Sequence, residues 1–314
     1  MLLRSVVWPA VFLPLLVAAA IAWLDPAVRR DPAGPDPGAA RTTPRSPWSG
    51  ALAFAAAYLA AHTAIAGWPP LPAVESSDWL AWLVVAAALG GIVVHTGALR
   101  LADPVLAALL WTGLSATTLR PMLAHTWNRT QGAVALGILA FAFTVTWLTA
   151  VRLLAAHAGA IQTDLTRSLR PASALVLAAS LGSAGIALGL SATARLGMIA
   201  GAAAVVALAL AATTTVFRGA LLPGLAAVPP ITTALIGLLA NGMLYAELPG
   251  LAAAALIAAP LGGLVALRAA GLAGWRRTLA AVVATVAVAA LALGVAGWQS
   301  TERNRGVEAY DPYA

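Results

Sequence analysis

The stretch FRGALLPGLAAVPPITTALIGLLANG, residues 217–242, sets one arginine and three prolines inside a chain that is otherwise almost continuous hydrocarbon. Arg218 ends one apolar run, and more residues remain before Pro249 than a straight crossing of roughly 30 Å needs. Pro223, Gly224, Pro229 and Pro230 fall inside the excess. Proline removes a backbone donor and breaks the i to i−4 ladder, so GALLPGLAAVPP is expected to leave regular helix geometry over 219–230. Pro229-Pro230 biases Val228 toward extended backbone and suits the first turn of a new helix, which is expected to resume near Ile231. Two readings follow. Either 219–230 is an interfacial loop before a span at 231–246, or it is a broken helix shaped around a solute, which membrane proteins tolerate only where protein or a water-filled cavity satisfies the freed groups.

Composition sets the class. With 61% hydrophobic and 9% charged residues and a mean hydropathy of +0.89, the chain lies far from the balance of a soluble domain. Apolar runs of about 20 residues recur throughout, each long enough to cross a bilayer. The spans read as 5–24, 51–68, 79–99, 105–119, 132–151, 171–194, 196–217, 219–246, 249–267 and 278–298. The expectation is an all-α, polytopic integral membrane bundle of about ten transmembrane helices, between about nine and eleven. Residues 1–298 form one helical domain with a Pro/Arg-rich loop at 25–50 that buries too little to fold, and the polar tail 299–314 is expected to be disordered. The first run continues through Ile21 and Trp23 beyond any small-residue cleavage site, which favours an uncleaved span over a signal peptide.

All eighteen basic residues are arginines, against eleven acids, for a formal charge of +7. They sit in short loops, where topology and anionic lipid explain them before nucleic acid does. Placing the loops after spans 1, 3, 5, 7 and 9 inside the cell puts Arg29, Arg30, Arg41, Arg45, Arg100, Arg152, Arg167, Arg170, Arg218, Arg268, Arg276 and Arg277 there. Arg4, Arg120, Arg129, Arg195, Arg303 and Arg305 remain outside. This favours both termini outside, with the acidic loop PPLPAVESSD external. Arg4, at the N-terminal end, runs against it. The arginine- and alanine-rich usage suggests a GC-rich bacterial genome and thus a bacterial cytoplasmic membrane. Residues 161–170 change pattern and read either as a short helix on the inner surface or as an extension of the fifth helix.

Chemistry is sparse. No cysteine is present, which excludes thiolate nucleophiles, disulfides and iron–sulfur or zinc–thiolate sites. His62, His95, His125 and His157 fall at different depths in this frame, so no metal or haem site and no cofactor are expected. The eleven acids lie in loops, tails or span edges, which disfavours carboxylate relays and aspartate-rich magnesium motifs. No phosphate-binding glycine loop, nucleophile elbow or H-E-x-x-H is found, and no catalytic residue is assigned. Ser115, Ser180 and Ser183 read as small packing residues.

His62, ionisable within a span, is a functional candidate by default, set against a neutral imidazole bonded to a backbone carbonyl. The candidate substrate-binding set is Asn241, Thr232, Thr233, Arg218 and His62. An amide is costly in hydrocarbon, so Asn241 is expected to face protein. The leading functional expectation is a transporter or permease for a small or lipid-like solute. The alternative is a non-catalytic scaffold or accessory subunit that packs on membrane-protein partners, or on further copies of itself, through small-residue faces such as GSAGIALG and GMIAGAAA; a membrane enzyme comes third. Lipid is the expected environment, and nucleic acid is not an expected partner. The length and span count resemble the gross plan of the drug/metabolite transporter superfamily, but no motif accompanies that resemblance and the outward termini oppose it, so no family is assigned.

Overall fold

The computed structural model describes residues 11–24, 48–73, 75–95, 111–113, 115–116, 119–156, 164–191, 193–216, 225–269 and 275–308. Among the described residues every regular element is helical. In chain order these are α1 (Leu13–Leu24), α2 (Ser49–Ala66), α3 (Ser76–His95), the six-residue α4 (Arg120–His125) and α5 (Arg129–Ala156). There follow α6 (Asp164–Leu190), α7 (Ala194–Val216), a 3₁₀ turn (Leu225–Ala227), α8 (Val228–Tyr245), α9 (Gly250–Ala269) and α10 (Trp275–Glu308). Seven of them, α2, α3, α5, α7, α8, α9 and α10, are long and apolar enough to cross a membrane. Such a set is consistent with a multi-pass membrane protein.

Several expected boundaries move. The expected span at 105–119 lies largely outside the described residues, which show helix there only at 111–113 and 115–116. Residues 164–170 belong neither to a separate surface helix nor to the fifth helix: their backbone is the start of α6, which runs on through Pro171. Pro171 is the eighth residue of α6, past the first turn, so its missing N–H costs the helix the bond that would otherwise reach the Arg167 carbonyl. The chain expected to be an unstructured tail begins as helix, because α10 continues to Glu308. QSTERNRGVE contains no proline to stop it, and the Ser300 and Thr301 hydroxyls donate to the Gly297 carbonyl at 2.8 and 3.0 Å.

The opening stretch resolves into the 3₁₀ turn at Leu225–Ala227 and then α8, which starts at Val228, three residues ahead of the expected Ile231. Pro229 and Pro230 sit inside its first turn, where the missing N–H groups would have had no intrahelical acceptor. Arg218 and residues 219–224 lie outside the described residues.

α8 is the axis of the bundle. It packs against α2, α3, α5, α6, α7 and α9, and 83% of its residues are buried, whereas α5 and α10 are each 28% buried over their apolar windows. Every residue from Val228 to Gly242 is enclosed. α5 and α10 flank the bundle and expose apolar stripes at helical spacing, Val134–Ile138–Phe141 on the first and Leu279–Val283–Val286 on the second.

The most extensive pairing joins α6 and α7. Here GSAGIALG and GMIAGAAA meet each other within the chain, so these two small-residue faces are already occupied. A methyl group at Gly197 would lie 2.9 Å from the Gly185 carbonyl oxygen and 3.0 Å from the Gly189 nitrogen. Backbone against backbone cannot yield as a side-chain tip can. Gly197→Leu is therefore expected to destabilise the purified protein by about 1–3 kcal/mol through overpacking. Gly201→Ala, with nothing within 4 Å of the new methyl, is expected to be near neutral. Thermal unfolding in detergent checks the pair, and equal effects would contradict this packing.

Candidate polar site at one end of the bundle

Two tight connections meet at one end of the bundle. The first closes α2 and opens α3. Gly67 follows α2 with φ of 92°, a conformation glycine adopts at no steric cost, and its N–H donates to the Thr63 carbonyl at 2.9 Å. At the start of α3 the Glu75 backbone N–H donates to Asp78 Oδ2 at 3.2 Å, and the Asp78 N–H returns to the Glu75 carbonyl at 3.1 Å. This reciprocal cap satisfies donors at the helix entrance and fixes the Asp78 carboxylate. The second connection, between α6 and α7, spans only Ser191–Thr193 and delivers Arg195 one residue into α7.

Arg195 ties the two together. Its Nη1 donates to Glu75 Oε2 at 2.9 Å and its Nη2 to the Ala66 carbonyl at 3.4 Å, so one guanidinium binds the α3 entrance and the last residue of α2. The Ser77 hydroxyl adds a 3.3 Å bond to Glu75. The ion pair is substantially solvated, and its Coulomb contribution is about 0–1 kcal/mol. Its value lies in orientation.

Beneath it lies His62. The imidazole is fully buried, and Nε2 sits 3.4 Å from Asp78 Oδ1, a contact too loosely aligned to be a good hydrogen bond. Asp78 is itself buried. From the sequence, His62 is a functional candidate within a span, with a neutral imidazole bonded to a backbone carbonyl as the alternative. The structure sets it four residues before the end of α2, facing a carboxylate from α3. Tyr58, one turn earlier on the same face of α2, buries a hydroxyl with no partner among the described residues, and the Thr193 hydroxyl is likewise unpartnered.

α8 reaches the same level. A methyl at Gly91 would meet Ala226 and Pro229, while one at Gly237 would run into the Leu80 side chain, so α8 and α3 lie antiparallel. One turn beyond Gly237, Asn241 therefore stands opposite the first turn of α3, where Ser77 and Asp78 lie. Asn241 is buried, as its chemistry requires. Its Nδ2 donates to the Gly237 carbonyl at 2.9 Å, a bond within its own helix and not across a helix pair, and its Oδ1 has no partner. Thr233, Gly237 and Asn241 form one i, i+4 ridge toward α3. Thr233 is about 12 Å further along the axis and Thr232 is turned about 100° away. Both hydroxyls are buried without partners. The candidate set thus divides: His62 and Asn241 come to one depth, Thr232 and Thr233 lie deeper, and Arg218 lies outside the described residues.

The other sequence candidates stay apart. His125 is exposed at the end of α4, and the side chains of His95 and His157 lie outside the described residues. Among the described residues no three His, Asp or Glu side chains gather where they could hold a metal ion. Ser180 donates to the Val176 carbonyl at 2.9 Å and is committed to its helix. Trp111 is buried against Phe143 with ring centroids 4.5 Å apart.

No protein-family model matches the chain, and neither the curated proteins nor the solved structures compared with it include a match. The site has to be read from its own geometry. Because the chain has no native cysteine, Glu75→Cys with Arg195→Cys gives a clean proximity test. A short bifunctional thiol reagent should join these two positions efficiently, whereas Glu75→Cys with Ala226→Cys, at opposite ends of α3, should not join. The reverse pattern would contradict the arrangement of the two connections.

Proposed function

We propose that this chain is a multi-pass transporter or permease of a bacterial cytoplasmic membrane, acting on a small or lipid-like solute, with about ten spans and both termini outside. One observation carries the reading. The most enclosed helix of the bundle holds three side chains, Thr232, Thr233 and Asn241, each with a buried polar atom that no described group satisfies. Buried polar atoms are almost always paired with protein or water, and each orphan costs about 1–3 kcal/mol. A helix at the centre of a dry scaffold would carry apolar or fully paired side chains there. A helix lining a wet pathway offers those atoms to water or to a passing solute.

His62 and Asn241 then form one polar level of the pathway, Thr232 and Thr233 a second, and Arg218 is placed toward the cytoplasmic mouth. The scaffold alternative loses two of its proposed docking faces, since GSAGIALG and GMIAGAAA are packed on each other. The ion pair between Glu75 and Arg195 supports the alternation of the topology, because it requires the 69–78 and 191–195 connections to share one side.

Labelling tests the reading on single-cysteine variants. Thr233→Cys and Asn241→Cys should react with a small water-soluble thiol reagent in intact membranes, while Ile236→Cys, buried in an aromatic and aliphatic cluster, should stay protected. Uniform protection would favour the scaffold. Orientation is tested separately by reporter fusions, which should place the 25–50 and 268–277 loops in the cytoplasm and the 69–78 loop outside. A cytoplasmic 69–78 loop would reverse the orientation.

A further inference from the structure

We propose that His62 and Asp78 form a proton-binding site, in which the pair holds one exchangeable proton between imidazole Nε2 and carboxylate Oδ1 beneath the Glu75–Arg195 ion pair. Asp78 is buried and, among the described residues, its charge has one hydrogen-bond donor, the Glu75 backbone N–H. The nearest cation does not serve it. Arg195 is committed to Glu75 and to the Ala66 carbonyl. An unpaired buried carboxylate is costly, and among the described residues the remaining neighbour able to relieve it is His62.

The charge count makes the same point. Glu75 and Arg195 cancel, so His62 and Asp78 together carry −1 without a proton and 0 with one. A poorly solvated site favours the neutral total. The proton comes from water, adds to either the imidazole or the carboxylate, and breaks no bond of the protein. The two groups lie close enough to titrate as a unit, so the proton belongs to the pair and to neither residue alone.

Among the described residues the surroundings supply no competing charge. Tyr58 on α2 is the other titratable group facing His62 from its own helix. α3 contributes Asp78, the α2–α3 connection Glu75, and α7 Arg195. α1 carries no ionisable side chain over Leu13–Leu24, and α8 carries none before Tyr245. Deprotonation leaves Asp78 competing with Glu75 for Arg195, whose Nε is buried and unpartnered. Proton occupancy is thereby linked to the contact that joins the two connections. The role of the pair as the coupling site of transport rests on the solute-pathway reading; its binding of a proton does not.

Selective ¹⁵N-histidine labelling of the full chain in lipid nanodiscs gives the test, with His62→Gln assigning the signal. The His62 resonance is expected to change over the pH range in which the protein stays folded. In Asp78→Asn the midpoint should move toward lower pH, since the imidazolium loses its counter-charge. In Arg195→Gln it should move the other way. Infrared difference spectra supply a second readout if Asp78→Asn does not fold: a protonated-carboxyl band sensitive to pH in the unmodified protein should shift in His62→Gln. A His62 resonance constant over that range, or an identical titration in Asp78→Asn, overturns the proposal. So does a carboxyl band that ignores His62→Gln. Protection of cysteines at 233 and 241 would sink the pathway reading and leave this titration intact, whereas a silent His62 with labelled cysteines would do the opposite.

Discussion

A helix enclosed from its first residue to its last turn must find the partners for those side chains among other helices, and α8 is such a helix over Val228–Gly242. Six neighbours surround it, and their positions follow from what it offers. Glycines at 237 and 242 admit Leu80 from α3 and Leu188 from α6. Prolines at 229 and 230 fill the first turn, where their missing donors break no intrahelical bond. The same enclosure makes its polar residues expensive. An outward Thr or Asn can turn to water or headgroups; an enclosed one must be matched by a partner that the structure supplies or admits.

The end layer shows how packing positions chemistry. The close contact between Gly185 and Gly197 brings α6 and α7 together backbone to backbone, and their short connection sets Arg195 beside the entrance of α3. The cap between Glu75 and Asp78 aims one carboxylate outward at Arg195 and the other inward at His62. A surface ion pair is energetically slight. It nonetheless decides which carboxylate meets the guanidinium and which is left to the imidazole.

Much of the helical frame was legible in the sequence because apolar length and proline or glycine punctuation are local signals. The inward orientation of Asn241 followed from the cost of an amide in hydrocarbon. The start of α8 was placed three residues late because Val228, preceding a proline, was expected to be extended, whereas it opens the helix. The extension of α10 to Glu308 was missed because polarity was taken for disorder in a proline-free segment that continues a long helix already formed. Pairing across helices was the larger omission. His62 lies four residues before the end of α2 and Asp78 two residues after the start of α3, and such near-symmetric positions about a short connection fall at similar depth in an antiparallel hairpin. That signal was present in the sequence. The link from Arg195 to Glu75, across 120 residues, had no local signal at all.

The central claim is that the polar atoms of α8 are satisfied by water or solute and are not sealed in a dry core. An experimentally determined map in a lipid environment, fine enough to show ordered water, addresses it most directly. The account predicts density within hydrogen-bond distance of Asn241 Oδ1 and of at least one of the Thr232 and Thr233 hydroxyls, continuous with one side of the bundle. A dry, closely packed α8 whose three side chains pair with neighbouring helices would contradict it.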